Sequence, residues 1–181
     1  MAFVVHYWHR FIKSNFALRI KSLVGQRAPS AAQVWAQQGG NHALHPFWLF
    51  AAPVNVQLGQ ISYFLTEPAP VLISQAESQQ IIGSLNIHFN ADGYYFYVVN
   101  GTWFLGLNTK PLIYTTPLNT VKNKDVSPFL PTGEDALIWA TLQNEVQMLL
   151  HSHVVNEVRE TQGQPAINSV WFYGLGASTA A

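Results

Sequence analysis

The chain has no cysteine and very little charge. Among its 181 residues the missing thiol excludes disulfides, thiolate nucleophiles and cysteine-based metal centres. Charged residues make up only 10% of the sequence, against about a quarter in typical soluble domains. Nine basic and nine acidic side chains cancel to a formal charge of zero. Nucleic-acid binding depends on clustered positive charge, so no nucleic-acid partner is expected. Tyr94, Tyr95, Tyr97 and Trp103 are the aromatics on which bases would stack, but few lysines or arginines lie near them. No apolar run approaches the roughly 18 residues of a membrane-spanning helix, and the N-terminus lacks a secretory signal pattern. The expectation is a cytoplasmic protein without a transmembrane segment. A Walker loop, a GxGxxG turn and a GxSxG elbow are also missing, and no cofactor is expected.

What is abundant is apolar: 49% hydrophobic and 13% aromatic residues. That is enough for one domain with a sizeable core. So few charges leave little polar surface to cover it, and the chain is expected to meet a protein partner or to self-associate. The basic residues are unevenly spread. Arg10, Lys13, Arg19, Lys21 and Arg27 all precede the first acid, Glu67, so residues 1–27 read as a basic amphipathic helical segment.

Ser30 with Gln33, and Ser74 with Glu77, are capping-box pairs, and they predict a short helix to about Gln38 and a longer one to about His88. PFWLFAA, VNVQL and ISYFL read as strands, the last two joined through Gly59-Gln60. YYFYVV and TWFLGL flank Asn100-Gly101, the strongest short hairpin signal. Thr109 to Pro131 is a proline-rich connection with one short strand, LIYTT. The layout is an α+β domain over residues 1–181, with an antiparallel sheet of about five or six strands and helices packed on it.

The most specified stretch runs from Thr132 to Gly176. Thr132 and Asp135 mark a helix start, and Gly163 with Pro165 marks its stop, so one long helix over about 133–162 is predicted. Ile138, Trp139, Leu142, Val146, Leu149, Leu150 and His153 share its core face at helical spacing. Asn144, Met148, His151, Val155 and Val158 line the opposite face, which predicts a helix covered on both sides. The strand that follows, INSVWFYG, carries polar and aromatic groups on both faces. It is expected inside the sheet between two partners, with Trp171 buried and Asn168 tying down a neighbouring loop.

The run LQNEVQMLLHSHVVNEVRETQGQPAINSVWFYGLG resembles the signature of the RpfE-type regulatory proteins of proteobacteria, some of which carry a phosphoglycerate mutase-like label. WLFAAPVNVQL, SQAESQQIIGSLNIHF with NADG, and GTWFLGL add to the likeness, which covers about residues 47–176. Val154 stands where that pattern has Pro, and Tyr173 where it has Trp. Members of the family continue beyond the final strand, so the resemblance implies a shortened version of a longer protein. It also implies a regulatory role, and together with the low charge, the aromatic content and an edge-rich sheet it gives the main expectation: a non-enzymatic, self-associating domain.

The alternative is an enzyme acting on a small phosphorylated or carboxylated metabolite. Asn144, Gln147, His151, Asn156, Arg159, Asn168 and Trp171 are the candidate ligand-binding residues, with Arg159 gripping the anion and His151 moving a proton. A metal-dependent mutase needs many Asp and His ligands and a serine nucleophile, which nine scattered acids do not supply. His151 and His153 point in opposite directions on a helix, and His42 and His45 have no companion ligands, so no metal site is expected.

Overall fold

Both capping boxes form as their residues dictate. In a computed structural model that describes residues 28–59, 63–66, 69–122 and 124–178, Ser30 caps α1 (Ala31–Gln37) and Ser74 caps α2 (Gln75–Phe89). The Ser74 hydroxyl accepts from the Glu77 backbone N–H at 3.2 Å, and the Glu77 carboxylate accepts from the Ser74 N–H at 2.8 Å. Residues 1–27, with the basic amphipathic segment read from them, lie outside the described residues.

The strands are β1 (Phe47–Val54), β2 (Val56–Leu58), β3 (Tyr63–Leu65), β4 (Tyr94–Val99), β5 (Thr102–Leu107), β6 (Ile113–Tyr114), β7 (Thr132–Gly133) and β8 (Ser169–Ala177). The main sheet has four strands in the order β4-β5-β1-β8, all antiparallel, and two-stranded sheets form from β2 with β3 and from β6 with β7. The fold is α+β, with the strands divided among three sheets rather than gathered into one of five or six. Asn100 at φ 49° and Gly101 at φ 76° make the β4–β5 hairpin, both in the left-handed region that such a turn requires.

Alternation puts Leu49, Ala51, Phe96, Leu105, Val170 and Phe172 on one face of the sheet, under α2 and the helices after residue 135. On the other face Trp48 and Phe104 pack under α1, with Trp35 stacked on Trp48 at 4.1 Å between ring centroids. Further along that face Ala52, Val54 and Trp171 meet Leu65 and the 118–126 segment, which contains α3 (Leu118–Val121). The sheet is therefore covered on both sides.

Three expectations fail, each for a local reason. The long helix is two: α4 (Ala136–His151) and α5 (Val154–Thr161). His153 adopts an extended backbone and caps α5 itself, its Nδ1 accepting from the Val155 N–H at 3.2 Å. Thr132 does not start α4. It lies in β7, and Asp135, at the N-cap, spends its carboxylate on the Leu112 N–H at 2.7 Å. Nor is β8 internal among the described residues; there it is an edge strand whose one partner is β1. Its mixed faces are satisfied by the layers above and below, because side-chain pattern reports what covers a strand's faces and not what lies along its edges.

Buried peptide groups beside these elements are met by asparagine amides. Asn86 accepts from the Phe96 N–H (2.7 Å) and donates to its carbonyl (2.8 Å), closing part of the outer edge of β4. Asn156 does the same for Ile167 (2.7 and 2.8 Å) and also donates to the Leu150 carbonyl. Asn168 does so for Val56, both bonds at 2.8 Å, a backbone tether as expected but to the start of β2 rather than to a loop.

Two outcomes follow in urea unfolding. Asn156→Ala leaves both backbone groups of buried Ile167 without partners and should cost about 2 kcal/mol or more. Trp171, 2% exposed, should cost about 3–5 kcal/mol on replacement by Ala. A wild-type midpoint for either variant would contradict this packing.

Candidate functional site

The cleft face of α4 is set by its periodicity. Trp139, Leu142, Val146 and Leu150 turn into the core, which leaves Asn144, Gln147, Met148 and His151 on the opposite side. That side is not covered as predicted: Met148 is 74% exposed. It forms one wall of a cleft of about 930 Å³, faced by Val56, Tyr63, Val126 and Ser127. Trp171 lies at its base, buried, with its indole N–H donating to the Thr116 carbonyl at 2.8 Å. The expected helix cover is thus replaced by a concave surface.

Five of the seven residues singled out in the sequence come together here: Asn144, Gln147, His151, Asn168 and Trp171. Helical spacing brings the first three to one line, and the start of β8 supplies the others. Their freedom differs. Asn168 is committed to Val56, and Gln147 donates to the Ser169 hydroxyl at 3.4 Å. Among the described residues nothing hydrogen-bonds the Asn144 amide or the His151 imidazole, so both are free to meet a ligand.

Arg159 and Asn156 stand elsewhere, and this corrects the reading of Arg159 as an anion clamp. Its guanidinium, 3% exposed, donates to the Pro165 carbonyl (2.7 Å), the Glu77 carboxylate (2.8 Å) and the Leu72 carbonyl (3.0 Å). Burial alone would push the Glu77 carboxyl up, but bonds from Ser74 and Arg159 hold it below its ordinary value. The pair fastens α5 to the start of α2. Asn156, buried against Ile167, is likewise structural.

Tyr63, Ser127 and Gln143 also line the cleft and carried no signal in the sequence. Ser127 is held by a local turn, its N–H and hydroxyl both donating to Asp125 (3.0 and 2.8 Å). These bonds lower the Asp125 pKa. The Ser-Pro step at residues 127–128 hinted at a turn and nothing more.

His45, weighed in the sequence only as a metal ligand, is held in a hydrogen-bonded niche. It is buried beside Gly106, where a Cβ would meet its ring, and its nitrogens bond Asn108 and Tyr97, both at 2.8 Å. Among the described residues no three His, Asp or Glu side chains gather where they could hold a metal ion. No described helix is long and apolar enough to cross a membrane.

No family model matches the chain. Among curated proteins it is similar to archaeal 2,3-bisphosphoglycerate-independent phosphoglycerate mutases. The protein of Methanothrix thermoacetophila is 34% identical over 61 residues, which are 34% of this chain and 16% of that protein. The protein of Methanosarcina mazei is 27% identical over 112 residues, 58% of this chain and 27% of its own length. The chain thus spans less than a third of these relatives. Among solved structures, a cofactor-independent phosphoglycerate mutase from Thermoplasma acidophilum superposes with a TM-score of 0.56 at 16% identity, covering 76% of this chain and 39% of that one. The fold of this chain is similar to that of part of a phosphoglycerate mutase.

Proposed function

We propose that this chain is a mutase-like domain whose cleft between α4 and the β2–β3 hairpin binds a small phosphorylated or carboxylated metabolite of the phosphoglycerate kind. The observation that carries the reading is the free pair Asn144 and His151, one helical face of a sizeable cleft. The likeness to phosphoglycerate mutases in sequence and in fold supports the class of ligand.

Arg159 being committed, the anion is met by amide N–H donors and by the protonated form of His151, a charge-assisted contact. Gln147, turned toward Ser169, orients beside it. His151 is the residue placed to pass a proton to or from a bound hydroxyl. Calorimetric titration with 3-phosphoglycerate should show saturable binding. His151→Ala should weaken it at least about tenfold, the usual worth of a hydrogen bond to a charged group. Binding that is unchanged in an Asn144→Ala, His151→Ala double variant would remove the cleft as its site.

A second reading, a regulatory domain that self-associates, is favoured by the apolar groups α4 leaves bare: Leu137 is 80% exposed and Met148 74%. Sedimentation across the micromolar range should then show a concentration-dependent dimer. Leu137→Lys with Met148→Lys should return it to monomer, and a monomeric wild type would end this reading.

A further inference from the structure

We propose that His153 is a pH-sensitive latch: its neutral ring caps α5, and acidification releases the segment that positions Asn168 at the cleft. The inference stands on the hydrogen bonds of the ring and does not depend on what the cleft binds.

The tautomer is fixed by its partners. The Val155 backbone N–H can only donate, so His153 Nδ1 carries a lone pair. The proton of the neutral ring is then on Nε2, donated to the Ser84 hydroxyl at 2.9 Å. A second proton on Nδ1 would turn the acceptor into a donor facing another donor. It would also put positive charge at the positive end of the α5 dipole. Protonation therefore opposes the helix twice.

What the helix holds gives the latch its reach. Asn156 pairs with both backbone groups of Ile167, and Arg159 donates to the Pro165 carbonyl. The next residue, Asn168, clamps Val56, and both of these line the cleft. Cap, helix, residues 165–167 and cleft wall form one run of direct contacts.

The charged groups on the elements around the ring have other partners or are exposed. On α2, Ser84 meets the ring, Glu77 is taken by Arg159, and His88 lies 4.0 Å from Glu145 of α4. On α5, Glu157 is exposed, as is His151 at the end of α4. Burial pushes the His153 pKa below its ordinary value of 6.5. A group lowered on folding stabilises fully above its unfolded value. Its contribution is lost as pH falls from about 6.5 toward the folded value.

Hydrogen exchange at pH 7.5 and pH 5.5, corrected for intrinsic rates, tests this on the whole chain. Protection of Val155, Asn156 and Ile167 amides should drop about fivefold at the lower pH, the worth of one helix N-cap. Amides of β1 and β5 should keep theirs. His153→Asn, a cap that does not titrate, should hold protection level between the two pH values. Equal loss across the sheet and α5 in the wild type would overturn the proposal, as would an Asn variant with the wild-type pH response. Should the Asn variant not fold, the distribution of the wild-type loss decides alone.

Discussion

The pairing of an asparagine side chain with both backbone groups of one residue recurs three times and holds this structure in register. A carboxamide offers one donor and one acceptor side by side, the same pair that a strand offers along its edge. Asn86 at Phe96, Asn156 at Ile167 and Asn168 at Val56 each stand in for a strand that is not there. A buried peptide group left without a partner costs about 1–3 kcal/mol, so each pairing guards against a loss large beside the whole stability of a domain. In a chain with so few charges, neutral amides also avoid the desolvation cost of ion pairs. The one deeply buried guanidinium among the described residues, Arg159, has an acceptor at each of its three nitrogens.

These pairings allow the sheet to end where it does. Among the described residues β4 is an outer strand, and Asn86 covers part of its outer edge. At the other side β8 accommodates an extra residue opposite Leu49, with Gly174 at φ 70° lying close on the Phe50 ring. A β-bulge with a left-handed glycine keeps both stretches of β8 correctly faced while turning its end toward α1. The small β2–β3 sheet is then left to stand off the main one as a cleft wall, tied at Val56.

The cleft joins two different kinds of residue. Asn168 and Trp171 are part of the scaffold and happen to face it, whereas Asn144 and His151 are free. The fold likeness to a phosphoglycerate mutase extends over 76% of the chain.

The sequence by itself determined the elements whose causes are local. Two serine capping boxes, the Asn-Gly hairpin, the glycine stop of α5 and the α+β class follow from groups a few residues apart, which interact before any tertiary contact forms. It also brought Asn144, Gln147 and His151 to one face, since helical spacing is a local property. Only the tertiary structure decided the rest. His153 splits the predicted helix because its ring finds Ser84 on α2 and a backbone donor on α5, and periodicity cannot see either. Arg159 and Asn156 looked like site residues because polar groups on an apolar helix serve a ligand or a buried backbone equally well in one dimension. Which of the two applies depends on the residue brought opposite. Here that was Glu77 for one and Ile167 for the other, and open space for Asn144 and His151.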